Sequence, residues 1–440
     1  MSVSINYHIR PGGTLRGHFR VPGDKSISHR ALMIGAIARG ETRISGFLQG
    51  EDTRATLAAL RAMGVAFDQQ GENVRVHGVG LYGLQHPAAP LDLGNSGTST
   101  RLLAGLLAAQ PFDCELIGDA SLMKRPMRRV IEPLRQMQAD ISGTAEGTLP
   151  IRIHGGRKLK AIDYVLPVAS AQLKSCLLLA GLYADGTTCV HEPFPTRDHT
   201  ERMLRHFGGR LTSKENTVCI TGGSELRAAD ITVPADISSA AFFMAGACMC
   251  SGADITLEDV GVNPARTGII RILRAMGADI SLSNERTVSG EPVADIRVRS
   301  APLRGIEIPV ELVPSAIDEF PAILVAAATA QGRTVLRGAA ELRVKESDRI
   351  LAVTEGLKAV GIECSAREDG MEVHGGRITG GTVNSFTDHR IAMAFAMAGL
   401  AATEPIIVQD CANVNTSFPG FVNLARQAGL PIEQQARDGD

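Results

Sequence analysis

Hydrophobic and polar positions along the chain repeat as one unit, a short alternating segment followed by a segment with helical spacing. In 39–46 β-branched and polar residues alternate as in a strand, and in 54–64 apolar residues recur every three or four positions up to a glycine. Similar pairs follow at 185–191 with 201–208, 251–257 with 268–277 and 331–338 with 351–361, and weaker ones at 113–118 with 131–139 and 404–408 with 421–429. The pattern predicts six strand–loop–helix–strand units.

A second helix is predicted ahead of each unit. Each begins with polar or small residues and continues as an almost wholly apolar stretch, so it should be buried on all sides. Unpaired N–H groups and the positive dipole end make such a start suitable for an anion, although Ser, Thr, Asp and Asn also serve simply as caps. The six openings are 24–30, 95–101, 170–172, 236–239, 317–319 and 387–390.

Two breaks in the repeat suggest a domain boundary. A strand predicted at 14–21 precedes the first unit, and 232–236 separates the third unit from the fourth. We therefore expect an α/β fold with an N-terminal domain at 22–234 and a second domain formed by 1–21 with 235–440. If three units close into each domain, the buried helix starts can converge on a cleft between the domains, where we expect the ligands.

The amino-acid composition argues against several classes of binding partner. Lys plus Arg (45) nearly cancel Asp plus Glu (47), and aromatic residues make up 4% with no Trp, so nucleic acid and acidic membranes are poor partners. The N-terminus lacks a signal core and no apolar run approaches the ~18 residues of a membrane span, so we expect a cytoplasmic protein. The eight Cys are scattered without metal-ligand spacing, which predicts reduced, mostly buried thiols and no metal.

Charged residues cluster at several predicted helix starts. Lys25, Ser26 and Arg30 lie within two turns after a Pro-Gly pair, which suggests a phosphate or carboxylate clamp rather than solvated charge. Gly97 allows a ligand to approach the backbone, with Asn95 and Thr98 beside it as donors.

Three further segments contain clustered charges. Arg125 lies in a basic loop suited to bidentate anion capture, although a solvated basic face explains it equally well. The segment 343–349 (RVKESDR) fits helical salt bridges or a site with an acid/base group and anion clamps. Asp318 opens an apolar helix, where a carboxylate suits a cap or a general base.

Several of these motifs together resemble the 5-enolpyruvylshikimate-3-phosphate (EPSP) synthase family. They run across almost the whole chain at 23–31 (GDKSISHRA), 93–98 (LGNSGT), 124–126 (KRP), 343–349 and 388–393 (DHRIAM). The segments 169–174 (ASAQLK) and 196–201 (TRDHTE) resemble the bacterial branch that includes glyphosate-tolerant forms. The resemblance implies two domains, each of three βαβαββ repeats in an inverse α/β barrel, and a monomer that closes around its substrates.

The resemblance also implies the reaction and its residues. The 5-hydroxyl of shikimate 3-phosphate adds to C2 of phosphoenolpyruvate while C3 is protonated, and the tetrahedral adduct then expels phosphate without metal or organic cofactor. Asp318 would be the base, with Lys25 and Glu346 as candidates for proton transfer at C3. Shikimate 3-phosphate would contact Lys25, Ser26, Arg30, Ser170, Ala171, Gln172, Arg197, Asp318 and Lys345. Phosphoenolpyruvate would contact Lys25, Asn95, Gly97, Thr98, Arg125, Gln172, Arg349 and Arg390.

This sequence departs from the family pattern at three places. Many members carry a Lys just before the terminal Phe-Pro, where 415–419 here reads NTSFP, so one phosphate contact is unassigned. Gly97 stands where tolerant members often carry Ala, and it should leave room for glyphosate. Leu102 replaces a Pro that is common in sensitive members and can alter that helix.

Two other functions compete with this interpretation. The sister transferase acting on UDP-N-acetylglucosamine usually has a reactive Cys on the loop that here is 119–125 (DASLMKR), and no Cys is present there. An RNA-binding repeat protein is suggested by RNA 3'-phosphate cyclase relatives with similar modules. The balanced charge and scarce aromatic residues argue against it.

Overall fold

The computed structural model describes residues 4–437 and mixes helices with strands throughout. Short 3₁₀ helices lie at Leu122–Lys124, Val310–Leu312, Ala340–Val344 and Cys411–Thr416. The α-helices are α1 Lys25–Ile37, α2 Glu51–Ala62, α3 Gly97–Leu107, α4 Arg128–Gln136, α5 Ala171–Gly181, α6 His199–His206, α7 Ile237–Met249, α8 Gly268–Ala275, α9 Val313–Ala316, α10 Phe320–Ala327, α11 Arg349–Ala359, α12 His389–Ala398 and α13 Phe421–Ala428.

The strands are short and occur between these helices. They are β1 Ser4–Ile9, β2 Arg16–Phe19, β3 Arg39–Ser45, β4 Ala66–Gln70, β5 Asn73–Val79, β6 Leu91–Asp92, β7 Cys114–Ile117, β8 Asp140–Ser142, β9 Ile151–His154, β10 Asp163–Val165, β11 Thr187–His191, β12 Leu211–Lys214, β13 Thr217–Thr221, β14 Ile231–Thr232, β15 Asp254–Gly261, β16 Asp279–Val288, β17 Glu291–Arg299, β18 Arg333–Leu336, β19 Cys364–Arg367, β20 Gly370–His374, β21 Gly381–Asn384, β22 Ile406–Gln409 and β23 Ile432–Arg437.

The chain forms two compact units. We call 23–233 with 287–291 the N-terminal unit, and 4–22, 234–286 and 292–437 the C-terminal unit. Each unit has a hydrophobic core of its own. The first strand belongs to the C-terminal unit because β1 pairs antiparallel with both β22 and β23.

The sheets repeat one arrangement. In the N-terminal unit the strand orders are β14-β3-β5-β4, β6-β7-β9-β8 and β10-β11-β13-β12. The second strand of each pairs in parallel with the first and antiparallel with the third. The C-terminal unit has the orders β2-β15-β17-β16, β21-β22-β1-β23 and β18-β20-β19. Within 4–437 every sheet is open, and none closes into a barrel.

The six predicted apolar helices are confirmed as α1, α3, α5, α7, α10 and α12. In α1 every side chain from Ile27 to Ile37 is buried, and α7 is buried from Ile237 to Cys248. The amphipathic helices of the repeat are also present, for example α8 at the predicted start of 268. The opening at 317 is shifted, because α10 begins only at Phe320 after the separate turn α9.

The prediction that all cysteines are reduced is wrong for one pair. Cys189 of β11 lies directly opposite Cys219 of β13, with Cα atoms 4.1 Å apart, and the two form a disulfide. The pairing depends on strand register over a separation of 30 residues, which scattered cysteine positions do not reveal. The other six cysteines are free thiols, and all of them except Cys114 are buried.

Residues 4–437 contain neither a membrane-spanning helix nor a cluster of metal-binding side chains. No helix there has both the length and the apolar character needed to cross a bilayer. No group of three His, Cys, Asp or Glu side chains there is arranged to hold a metal ion.

Close packing of α3 against α5 predicts that Gly105→Ala destabilises the N-terminal unit. A Cβ at Gly105 would lie 2.2 Å from the carbonyl oxygen of Cys176, so the helices must separate. We expect a loss of about 1–3 kcal/mol in the free energy of unfolding, measured by urea denaturation.

Gly35→Ala is the matched control in the same unit. Gly35 is also a buried glycine inside a helix, but its nearest foreign atoms, on Thr42, would be 3.4 Å from the new methyl. The control should keep wild-type stability. Equal stability of the two variants would contradict the close approach at Gly105.

Candidate active site

Three buried helices of the N-terminal unit have capped starts. The side chains of Asp24, Ser96 and Ser170 accept backbone N–H groups three residues further on, at 2.9, 3.1 and 3.3 Å. These contacts confirm the capping interpretation for α1, α3 and α5. Capping satisfies one orphan N–H in each helix and leaves the dipole end in place.

Side chains join these three helix starts to one another. His29 of α1 lies 2.8 Å from Thr56, which lies 2.6 Å from Ser99 of α3. Arg101 of α3 donates to Gln172 of α5 at 2.6 Å, and Gln172 donates to Thr98 at 3.0 Å. The structure therefore brings together predicted residues from separate repeats.

Gly97 lies between two guanidinium groups. A Cβ placed on it would be 3.0 Å from Nη1 of Arg101 and 3.2 Å from Nη1 of Arg125. Arg125, predicted from its basic loop, donates to the side chain of Asn95. Arg101 was missed by the sequence analysis, and its position one helical turn after Gly97 is the signal that would have found it.

Arg30 is almost fully buried and well hydrogen-bonded. It donates to Thr200 at 2.7 Å, Ser175 at 2.8 Å and the carbonyl of Ser26 at 2.9 Å. The pKa of Arg30 is lowered to about 10, chiefly by burial and also by the nearby charge of Arg197, while the charges of Glu201 and Asp24 oppose the shift. The cations Arg30 and Arg197 therefore lie near each other, and such a pair is suited to binding a multiply charged anion.

Two further predicted residues of this unit, Lys25 and Ala171, lie at the same helix starts, whereas Arg197 lies in a connecting segment. Lys25 begins α1, and its ammonium is 2.9 Å from Oδ2 of Asp52. Ala171 begins α5 directly after the capping Ser170. Arg197 lies in the segment between β11 and α6. Asp52 was not predicted, because it lies 27 residues away on α2.

Arg349 organises the candidate residues of the C-terminal unit. It is about 1% exposed and donates to three carboxylates, with Nε 2.8 Å from Asp388, Nη1 3.2 Å from Asp318 and Nη2 2.6 Å from Glu346. Burial alone would lower the pKa of Arg349, but these carboxylates outweigh it and raise the pKa. Each of the predicted residues Asp318, Glu346 and Arg349 thus lies in one cluster.

Lys345 and Arg390 complete this cluster. Lys345 Nζ lies 3.9 Å from Asp318 and 3.8 Å from Glu341, and Arg390 donates to the carbonyl of Asp318 at 3.0 Å. Burial lowers the pKa of Lys345, and the charges of Asp318 and Glu341 oppose that effect only in part. Asp318 is therefore held by neighbours at both its carboxylate and its backbone.

Asp388 is a further member that the sequence analysis did not select. It caps α12 through the N–H of Arg390 at 2.9 Å and accepts from Arg349 and Ser347. Burial would raise its pKa, but the Arg349 charge outweighs burial and holds the pKa of Asp388 below 3.8. Asp388 is therefore a buried carboxylate that fixes the position of the Arg349 guanidinium.

Known proteins match this chain along nearly its full length. The family model described as EPSP synthase (3-phosphoshikimate 1-carboxyvinyltransferase) matches residues 9–424. A 3-phosphoshikimate 1-carboxyvinyltransferase from Alkalilimnicola ehrlichii is 62% identical over 438 residues, covering 99% of this chain and 98% of the relative. The chain belongs to the EPSP synthase family. Another relative with that name, from Methylococcus capsulatus, is 62% identical over 424 residues, 96% of this chain and 97% of its own.

Solved structures agree with this assignment to the EPSP synthase family. An EPSP synthase from Acinetobacter baumannii superposes with a TM-score of 0.89 at 54% identity, covering 98% of this chain and 100% of that one. The enolpyruvyl transferase NikO from Streptomyces tendae has a TM-score of 0.79 at 18% identity, covering 99% and 100%. That second likeness shows a shared fold.

We predict that Asp388→Asn destabilises the C-terminal unit, because the change leaves buried Arg349 without its fully buried charged partner while Asn still caps α12. The expected loss is about 3 kcal/mol at pH 7, measured by urea denaturation. Since the folded pKa of Asp388 is depressed, the wild-type advantage is present above pH 3.8 and disappears as the pH falls through the folded pKa.

Asp254→Asn provides the control for this change. Asp254 also pairs with an arginine, Arg297 at 2.7 Å, but both side chains are exposed and the pair should contribute little. A wild-type stability for Asp388→Asn, or a gap that grows on acidification, would refute the assignment.

Proposed function

We propose that this chain transfers the enolpyruvyl group of phosphoenolpyruvate to the 5-hydroxyl of shikimate 3-phosphate and releases phosphate. The main support for this function is the 62% sequence identity to 3-phosphoshikimate 1-carboxyvinyltransferases over nearly the whole chain. The geometry supports the same reaction, because both substrates are multiply charged anions and each unit contains a cluster of buried cations. This membership favours the reaction over UDP-N-acetylglucosamine transfer and over RNA binding.

Shikimate 3-phosphate is assigned to the residues around Arg30 in the N-terminal unit. Arg30 is held by neutral oxygens of Thr200, Ser175 and Ser26, which orient its guanidinium without cancelling its charge. With Arg197 nearby, it offers a paired positive surface for the phosphate. The capping Ser170 and the first residues of α5, Ala171 and Gln172, would contact the same ligand, and Lys345 and Asp318 would address its hydroxyls.

Phosphoenolpyruvate is assigned to the cations around Gly97 and to those of the C-terminal unit. The absence of a side chain at Gly97 opens the space between Arg101 and Arg125. We add Arg101 to the predicted set of Lys25, Asn95, Gly97, Thr98, Arg125, Gln172, Arg349 and Arg390. Guanidinium groups in fixed positions stabilise the charge of the carboxylate and phosphate as the adduct forms.

The chemistry needs one base and one acid. Asp318 accepts the proton of the 5-hydroxyl group while the hydroxyl oxygen forms a bond to C2 of phosphoenolpyruvate. In the same step C3 of phosphoenolpyruvate gains a proton from Lys25 or Glu346. Loss of a proton from C3 then expels inorganic phosphate and restores the double bond. Glu346 is fixed 2.6 Å from Arg349, and Lys25 is fixed 2.9 Å from Asp52, so both are positioned before the substrates bind.

We extend the proposal to four finer points. The motifs at 169–174 and 196–201 support placement in the bacterial branch that includes glyphosate-tolerant forms, while Gly97 supports binding of glyphosate itself. The protein is proposed to work as a monomer in the cytoplasm. The convergence of both sets of helix starts on one cleft stays a prediction from the repeat pattern.

Removal of Asp318 or Lys25 is expected to abolish most turnover. Asp318→Asn and Lys25→Ala should each lower kcat/KM by about 10²–10⁴-fold, because each removes a group that transfers a proton or stabilises the adduct. The measurement is phosphate release from phosphoenolpyruvate with shikimate 3-phosphate. Glu355→Gln, on the exposed face of α11, is the control and should retain activity. Wild-type turnover in either site variant would remove that residue from its role.

A methyl group at Gly97 is expected to weaken inhibition by glyphosate. Gly97→Ala places a Cβ against Arg101 and Arg125, so the inhibition constant should rise at least about tenfold, while Gly35→Ala keeps the wild-type value. Inhibition is measured at several phosphoenolpyruvate concentrations. A pattern that is not competitive with phosphoenolpyruvate would overturn this placement of the inhibitor.

A further inference from the structure

Lys174 of α5 is a buried cation that the proposed reaction does not use. Its side chain is about 1% exposed, and its ammonium lies 2.8 Å from Glu192 and 2.7 Å from Glu201. Lysine is almost never buried to this extent unless it is paired, and removing one member of such a group leaves uncompensated charge. The three side chains form one closed ionic group, which we call the Lys174 group.

The Lys174 group holds both ends of the segment that carries Arg197. Glu192 directly follows β11 and Glu201 belongs to α6, so one lysine connects the elements on either side of the segment. The segment contains two prolines, which have no N–H to donate. Lys174 also donates to the carbonyl of Thr196 at 3.4 Å, and the Thr196 hydroxyl donates to Glu192. The residue immediately before Arg197 is thereby fixed at its backbone and its side chain.

The neighbouring residues on the same two helices fix Arg30. Ser175 follows Lys174 on α5, and Thr200 precedes Glu201 on α6. The Thr200 hydroxyl donates to Ser175 at 2.7 Å, and both oxygens accept from Arg30. Helices α5 and α6 therefore contact each other in two ways. Lys174 forms an ion pair with Glu201, and the hydroxyl groups of Ser175 and Thr200 form hydrogen bonds that orient Arg30. Because Arg30 and Arg197 repel each other, their spacing depends on this support.

We propose that Lys174, Glu192 and Glu201 are positioning residues that set Arg30 and Arg197 for the phosphate of shikimate 3-phosphate. The inference rests on the proposed function, which assigns both arginines to that phosphate. None of the three side chains of the Lys174 group is assigned to either substrate. Loss of Lys174 releases Thr196 and with it Arg197, so the affinity for shikimate 3-phosphate falls while the chemistry at Asp318 is retained.

The first test is Lys174→Met, which keeps the length of the side chain and removes its charge. The KM for shikimate 3-phosphate should rise about tenfold or more, with KM for phosphoenolpyruvate and kcat changed less than about threefold. Lys214→Met, an exposed lysine on β12 of the same unit, is the matched control and should behave as wild type. A folded Lys174→Met enzyme with unchanged KM for shikimate 3-phosphate would overturn the proposal.

The second test separates positioning from folding. Lys174→Met leaves two buried carboxylates without their cation, whereas the double variant Lys174→Met/Glu201→Gln removes part of that repulsion. We expect the double variant to recover the melting temperature while the KM for shikimate 3-phosphate stays high, because the contact to Thr196 is still missing. Recovery of both quantities together would mean that the role is structural only.

Thr196→Val provides a milder probe, because it removes only the hydroxyl that binds Glu192. It should raise the same KM in the same direction by a smaller factor, and an unchanged KM would count against the proposal. Direct titration of shikimate 3-phosphate without phosphoenolpyruvate gives an independent dissociation constant. If the wild type binds shikimate 3-phosphate but releases no phosphate, the proposed function fails, whereas equal binding by wild type and folded Lys174→Met overturns only the positioning role.

Discussion

The structure depends on helices that are apolar along their whole length and polar only where they begin. Because such a helix is buried on every side, its first N–H groups and first side chains must find partners inside the protein. Asp24, Ser96 and Ser170 provide caps in the N-terminal unit, and Asp236 and Asp388 do so in the C-terminal unit. Polar groups from different repeats are thereby collected at the helix starts, where they bond to one another.

The buried arginines near the helix starts have different hydrogen-bond partners in the two units. In the N-terminal unit Arg30 donates to hydroxyl and carbonyl oxygens and Arg101 to an amide, which orient a guanidinium and preserve its attraction for an anion. In the C-terminal unit Arg349 is surrounded by Asp318, Glu346 and Asp388. That arrangement suits proton transfer, because carboxylates and cations lie within contact distance of each other.

Other buried charged groups support the residues that are proposed to contact the substrates. Asp388 holds Arg349, and the Lys174 group holds the segment that leads to Arg197. Such groups add little net stability, since desolvation offsets much of their attraction. Their value lies in fixing the direction of a charged side chain before substrate binds, so that less reorganisation is needed when the charged adduct forms.

The sequence by itself determined the six repeats, the buried helices and, through its motifs, the family and most of the candidate residues. These features are local: apolar spacing decides which helix is buried, and segments such as 343–349 place Lys345, Glu346 and Arg349 on adjoining turns. Only the tertiary structure decided that Cys189 pairs with Cys219, that Arg125 lies beside Gly97, that Asp388 contacts Arg349, and that Lys174 contacts Thr196 next to Arg197. Each of these contacts joins residues far apart in the chain or depends on which face of a helix meets its neighbour. Strand register and helix packing set such contacts, and no local pattern encodes them.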